Sequence, residues 1–269
     1  MSSAEQLRSI DFSIDPEVVG RAKELLGGFR VSRESAQKWI ESPVKEAWER
    51  IIFGVFGSLA ASPLVLAASG SVFIADGAPT LYRLKVGFLG EGNQIKGLTE
   101  IMKIRTFQRE VDKRDFKNPF QTTAFLGTRK RPLPTRDPRV HSSLGAWLRR
   151  IALDELPQLL SILKGRMAGI GPRAYTLAEL RGLQILFQLQ DESGNVFPEG
   201  FPEDYREVIS HLQPKPGLVS LYSAIYRKQL TVSERLLLDY LYLTCANPLG
   251  DLRILKATFE TSLKGTGAW

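Results

Sequence analysis

The chain has 269 residues, enough for one large domain or two small ones with an ample core. Its single cysteine, Cys245, excludes an internal disulfide, and with only His141 and His211 a His/Cys zinc cluster of the usual form is excluded too. The 36 Lys+Arg against 29 Asp+Glu give a net charge of +7, which implies an anionic partner (nucleic acid, acidic lipid or a phosphorylated substrate) and leaves hard-cation chemistry on carboxylates open.

Residues 1–45 are polar and helix-like, with Val18, Val19, Ala22, Leu25 and Leu26 forming one apolar stripe. They contain no apolar core followed by a cleavage site, so they do not read as a secretory signal. From Ile51 to Ala75 no charged residue occurs. As one helix that stretch would reach about 37 Å, more than the ~30 Å of a hydrocarbon core, so this reads as a membrane protein. Pro63 sits at its centre and cannot donate a helical N–H, while Ser62 can bond a freed backbone carbonyl. Basic residues flank both sides: Arg30, Arg33, Lys38, Lys45 and Arg50 before, and Arg83, Lys85 and Lys96 after. Symmetric flanks favour a re-entrant hairpin broken at Ser62-Pro63 over a true span.

Next, Ala78 to Phe107 mixes short apolar runs with glycines and predicts a small β-hairpin around Gly87–Gly92. Lys103 and Arg105 alternate as on one polar face of a strand. Residues 108–140 are loop-like and basic. Helices are expected over 142–152, 157–164 and 174–190, followed by a loop rich in Gly, Pro and acids over 191–203. Pro214-Lys215-Pro216-Gly217 reads as a rigid turn. Two C-terminal amphipathic helices follow, Val232 to Thr244 and Leu249 to Leu263, broken by Asn247-Pro248. Both interfacial and core packing suit them. The boundaries are then a helical N-terminal arm (1–47), a membrane hairpin (48–75), a catalytic domain (76–230) and the C-terminal helices (231–269).

The run from Leu153 to Arg173 is the most informative. Asp154 and Glu155 stand at the mouth of an apolar helix in which Leu156, Leu159, Leu160 and Leu163 recur at helical spacing. Pro157 suits a first helical position and Gly165 a C-terminal cap. A helix N-terminus favours phosphate and acidic side chains alike, so simple capping by Asp154 competes with a catalytic reading.

Taken in order, the chain carries Ser62-Pro63; Lys103-Ile104-Arg105-Thr106; Asp137-x-Arg139 with Leu144-Gly145-x3-Arg149; Leu153-Asp154-Glu155-Leu156-Pro157-Gln158-Leu159; and Lys164-Gly165 leading to Gly171-Pro172-Arg173. This order resembles the bacterial sugar transferases, the monotopic phosphoglycosyl transferases, over about residues 48 to 269. Pro216-Gly217-Leu218 and the terminal Gly265-Thr266-Gly267-Ala268-Trp269 echo two further motifs of that family.

The resemblance implies an α+β, mostly helical fold: a re-entrant membrane hairpin and a catalytic domain on the cytosolic face of the bacterial inner membrane. It implies transfer of a sugar-1-phosphate from a UDP-sugar to polyprenol phosphate, initiating a bacterial glycan such as an exopolysaccharide. Asp154 would be the nucleophile, forming an aspartyl-phosphosugar, and Glu155 with Asp154 would hold Mg²⁺. Lys103, Arg105, Arg149 and Arg173 match the family's basic positions and would bind phosphate. Expected partners are the nucleotide diphosphate sugar, polyprenol phosphate and anionic membrane lipids, with no nucleic acid and homo-oligomerisation left open. Arg166 and Ala168 stand where the family usually has Asp and Ser, and Ala174 where Pro is customary. Those departures keep a non-catalytic assembly protein as the rival reading.

Overall fold

The structure, a computed structural model, describes residues 12–28, 30–106, 145, 147–148, 152–194, 196–225 and 230–263. It is mostly helical with a small β element. Helix α1 (Pro16–Leu25) starts where Asp15 accepts the Glu17 amide at 2.9 Å and Pro16 takes the first turn, where its missing N–H costs nothing. Val18, Ala22, Leu25 and Leu26 of the expected stripe are buried in the main core, and Val19 is half-buried. Helix α2 (Arg33–Ile40), capped by Ser32, sends the Trp39 indole N–H to Asp251 at 2.9 Å.

The apolar segment belongs to one unbroken helical run. Helix α3 (Pro43–Glu49) passes into a π-helical stretch (Arg50–Gly57) and then into α4 (Ser58–Asp76). The run stays helical through Pro63, with no non-helical turn between the two halves of the apolar segment. The physical reason lies one residue earlier. Pro63 leaves the Leu59 carbonyl without its helical donor, and the Ser62 hydroxyl donates to that carbonyl at 2.8 Å.

One side of this run faces the rest of the protein. Gly54, Ala61, Ala68 and Val72 are buried, whereas Ile52, Phe56, Leu59, Leu66, Phe73 and Ile74 are exposed. The contacts continue along its length: Ala61 packs with Val86, Ile101 and Leu159, and Ala68 and Val72 with Ile104 and Leu148. Both ends are fixed to the same body. Lys45 and Glu49 are buried in it at one end. At the other, Arg105 donates to the carbonyls of Gly77 and Pro79 at 2.8 and 2.6 Å.

The predicted hairpin is present and longer than expected. Strand β1 (Leu81–Leu89) pairs antiparallel with β2 (Ile95–Ile104). The register slips between Val86 and Phe88, where a Cβ on Gly87 would lie 2.8 Å from the Lys96 carbonyl oxygen. A side chain would force the strands apart at that bulge. Strand β3 (Ala168–Ile170) follows the Leu153–Leu163 helical run, and β4 (Tyr175–Thr176) joins the free edge of β1 to give the order β2-β1-β4. Strand β5 (Gly217–Val219) pairs parallel with β3 in a second, two-stranded sheet.

The apolar run at 157–164 splits differently from expectation. A 3₁₀ helix covers Leu153–Gln158 with Pro157 inside it, and α5 covers only Leu159–Leu163. Pro157 cannot supply the α-type donor, so the tighter turn persists until Gln158. Gly165, at φ +69°, ends the run as expected.

Helix α6 (Leu177–Ser193) opens on a reciprocal cap between Thr176 and Glu179 and runs past the expected end at 190 to Gly194, at φ +71°. After α7 (Tyr205–Leu212) and α8 (Leu221–Ile225), helix α9 (Val232–Cys245) has the same reciprocal cap from Thr231 and Glu234. The amphipathic expectation fails for α9, which is buried on almost every side, including Leu236, Leu238, Tyr242 and Leu243. Sandwiched between neighbours, it needs no polar face. Helix α10 (Pro248–Leu263) does keep an exposed apolar side, at Leu249, Leu252 and Phe259.

Candidate active site

Ala152 initiates the site in a left-handed conformation, φ +57°, which a residue with a Cβ adopts at a cost of about 1–2 kcal/mol. The strain sits two residues before Asp154. In the 3₁₀ helix that follows, residues three apart lie on one side. Leu153 packs with the cluster of Ala68, Val72 and Ile104, and Leu156 with that of Ala61, Ile101 and Leu159, so both leucines bind the apolar helix. Asp154 and Glu155 occupy the other two sides of the turn. Asp154 is buried, at 7% exposure.

Strand β2 supplies the cation. Lys103, opposite Tyr82 on β1, donates to Glu155 Oε1 at 2.9 Å. Burial alone would pull the Lys103 ammonium down, but the carboxylates of Glu155 and then Asp154 outweigh it and hold Lys103 above its usual range. It therefore stays charged at any working pH. The structure thus gathers Asp154, Glu155 and Lys103 at one point beside the apolar helix.

Of the other predicted phosphate ligands, Arg105 and Arg173 are described. The Arg105 guanidinium donates to the Gly77 and Pro79 carbonyls, tying the end of the apolar helix to β2. Arg173 lies further along the sheet: Tyr175 pairs with Gly87, and Lys103 pairs with Tyr82, five residues away on β1. That offset is roughly 17 Å at a strand's rise per residue. Arg173 donates to Glu179 at 2.9 Å and lies 5.2 and 5.0 Å from the rings of Tyr175 and Tyr222. Its second terminal nitrogen is buried and has no hydrogen-bond partner among the described residues. Arg149 lies outside the described residues. Ser62 and Pro63 fall on the exposed side of α4.

Two groups that the sequence reading passed over position this site. Glu49 accepts the amides of Gly169 and Ile170, each at 3.0 Å, and Lys45 bridges Glu49 and Asp251, each at 2.6 Å. This buried triad holds β3, which leads from α5 to Gly171-Pro172-Arg173. The i,i+4 spacing of Lys45 and Glu49 was its only signal. Asp239 accepts the Arg173 amide at 2.8 Å and the Tyr175 hydroxyl at 2.7 Å. Burial pushes its carboxyl up to about 7, and the hydrogen bonds from Tyr175 and Arg173 offset only part of that. A lone acid inside Leu236-Leu237-Leu238-Asp239-Tyr240-Leu241 was legible as an anomaly. Gly169 and Gly171 serve packing: a Cβ on Gly169 would lie 2.5 Å from the Phe53 ring, and one on Gly171 3.1 Å from the Gly217 amide.

Among the described residues no three His, Cys, Asp or Glu side chains converge as a ready metal cage. Two adjacent carboxylates nevertheless suit Mg²⁺, which keeps several waters and is completed by substrate phosphates.

A family model described as bacterial sugar transferase matches residues 40–265, a range that contains the dyad, Lys103 and Arg173 and leaves out α1 and nearly all of α2. The exopolysaccharide production protein ExoY of Sinorhizobium fredii is 28% identical over 224 residues, covering 81% of this chain and 85% of its own. ExoY of Rhizobium meliloti is 29% identical over 213 residues, 77% of this chain and 80% of its own. The undecaprenyl-phosphate galactose phosphotransferase of Salmonella typhimurium is 30% identical over 133 residues, 49% of this chain and 23% of that protein.

Proposed function

The chain belongs to the bacterial sugar transferase family and is a phosphoglycosyl transferase, and from that premise we propose that it moves a sugar-1-phosphate from a uridine diphosphate sugar to polyprenol phosphate. The names of its relatives, which include exopolysaccharide production and undecaprenyl phosphate, support an acceptor of that class and a role in starting a surface glycan. The observation that carries the reading is the trio Asp154, Glu155 and Lys103 beside an apolar helix whose far side is bare.

An oxygen of Asp154 attacks the sugar-bearing phosphorus, the bond to the bridging oxygen breaks, and UMP leaves with that electron pair. A phosphate oxygen of the lipid then attacks the same phosphorus, the aspartyl O–P bond breaks, and the carboxylate is restored. Splitting the transfer in two lets one buried carboxylate serve both half-reactions. Lys103 holds Glu155 and adds fixed positive charge beside the diphosphate, where charge neutralisation does most of the catalytic work. Mg²⁺ held by Asp154 and Glu155 would supply the rest of that neutralisation.

The anchoring supports a monotopic arrangement, and a nucleotide sugar donor calls for the cytosolic face. Contacts with the domain run from Gly54 to Val72, about 27 Å of helix, which is close to a hydrocarbon thickness. A perpendicular span would carry Lys103 and Glu155 into hydrocarbon, at a cost of several kcal/mol. With both helix ends fixed to one body, the exposed side immerses while the dyad stays at the interface. There it meets a water-soluble donor and a lipid acceptor.

Purified protein supplied with Mg²⁺ and a panel of uridine diphosphate sugars, without lipid, should gain one phosphosugar mass. Asp154→Asn should not, and UMP release should resume in the wild type when polyprenol phosphate is added. Turnover by Asp154→Asn at the wild-type rate would refute the covalent role. No UMP release with any donor would leave the assembly-protein reading.

A further inference from the structure

The exposed apolar side of the helical run does not stop at the run itself. Helix α5, which directly follows the dyad's 3₁₀ turn, lies flush against it. A Cβ on Gly54 would come 2.9 Å from the Leu163 Cα, and one on Gly57 3.3 Å from the Leu159 side chain. Leu159 and Ile162 of α5 are buried, but Leu160 and Leu163 are 40% and 41% exposed. They extend the bare side of Ile52 and Phe56, which are 51% and 60% exposed.

Just past α5 come Lys164 and Arg166, both exposed and neither within ion-pair distance of a carboxylate among the described residues. Their neighbour Arg50, at the edge of the apolar run, is different, because it donates to Glu46 at 2.5 Å. Leucines followed by uncompensated cations, at the end of a membrane-type helix, match the gradient from acyl chain to headgroup. Arg166 is also the position where the resembled family carries an acid.

We propose that the outer side of α5, Leu160 and Leu163, is immersed in the acyl region of the bilayer, and that Lys164 and Arg166 bind anionic phospholipid headgroups. The inference rests on the monotopic reading above and deepens it. The short helix that carries the dyad becomes part of the membrane contact, and the replacement of an acid by Arg166 becomes an adaptation to lipid.

The test uses the full chain with Cys245→Ser, reconstituted into phosphatidylcholine vesicles containing phosphatidylglycerol, with a nitroxide placed at one site at a time. Labels at Phe56 and Leu163 should both be reached by oxygen and shielded from a water-soluble nickel relaxant, while a label at Arg83, on the exposed face of β1, should show the reverse. If the Leu163 label is as open to nickel as that at Arg83 while Phe56 is shielded, this inference fails and the anchoring stands. If Phe56 is open as well, both fail.

Headgroup binding is read separately from the motionally restricted fraction of spin-labelled phosphatidylglycerol against spin-labelled phosphatidylcholine. About 1 kcal/mol per surface cation corresponds to roughly fivefold in association. The wild type should prefer the anionic lipid, and Lys164→Gln with Arg166→Gln should bring the preference close to one. An unchanged preference in the double variant would overturn the headgroup assignment.

Discussion

Two of the lysine–carboxylate sites among the described residues, similar in separation, differ in burial and in partners. Lys45 meets Glu49 and Asp251 at 2.6 Å with side chains 1–4% exposed. Lys103 meets Glu155 at 2.9 Å with side chains 20% and 37% exposed. In the first, Glu49 also takes two backbone amides, Asp251 takes Trp39 and Tyr242, and Lys45 reaches the Ile170 carbonyl at 3.1 Å. Every charge is satisfied by groups of the fold, so the site holds the scaffold together. In the second, a partly open pair sits beside a buried Asp154 on a strained turn. Similar ion-pair chemistry becomes structure or reactivity according to burial and to how many partners the fold supplies.

Substitutions can break this contrast, and the largest effect should fall on Asp154. Asp154→Asn should reduce sugar-phosphate transfer at least about a thousandfold in a steady-state UMP assay, since removing a nucleophile removes the covalent route. Its thermal midpoint in detergent should stay within a few degrees of the wild type. Lys45→Met should do the opposite. Leaving Glu49 and Asp251 buried without their cation costs about 3–5 kcal/mol, read as a lowered denaturation midpoint. If the destabilisation instead appears in Asp154→Asn and not in Lys45→Met, the assignment of scaffold and reactive site is reversed.

Lys103→Met is intermediate. It loses a charge-assisted contact worth about 1.5–3 kcal/mol, so transfer should fall by about tenfold to a hundredfold with the fold intact. Because Glu155 and Asp154 hold its pKa up, the wild-type rate should show no inflection from this lysine at or below neutral pH. The smallest effect concerns Asp239. Its carboxyl is held near 7 in the fold against 3.8 ordinarily, so the native state keeps a proton that the unfolded chain has released. That contribution is full below about pH 4 and is lost as pH rises through about 7. Asp239→Asn should flatten this part of the stability curve, measured as the difference between variant and wild-type midpoints at pH 5 and pH 8.

The carboxylate pair Asp154-Glu155, the strand carrying Lys103 and the apolar helix were legible because each is written in local pattern: adjacent carboxylates, alternation and an uncharged run. The reciprocal caps Thr176/Glu179 and Thr231/Glu234 are likewise written four residues at a time. What escaped depends on distance along the chain. Nothing local says that Asp251 will neutralise Lys45, or that Arg173 will stack on Tyr222 and pair with Glu179. The continuous helix through Pro63 escaped for a smaller reason, since a single hydroxyl re-satisfied the carbonyl that proline abandons. Helix α9 was read as two-sided because Tyr and Leu look alike at a lipid interface and in a core.

The seating of the apolar helix also bears on how the protein is made. Residues 43–76 leave the ribosome before any strand exists, and their inner side is later half of a core that includes Ile101, Leu159 and Ile162. The helix is therefore synthesised before the hairpin and the dyad's turn that pack on it. Cutting the chain after Asp76 would not release a soluble enzyme, as trimming a detached anchor does. It would strip one wall from the core beside Asp154 and Glu155 and leave a fragment prone to aggregate.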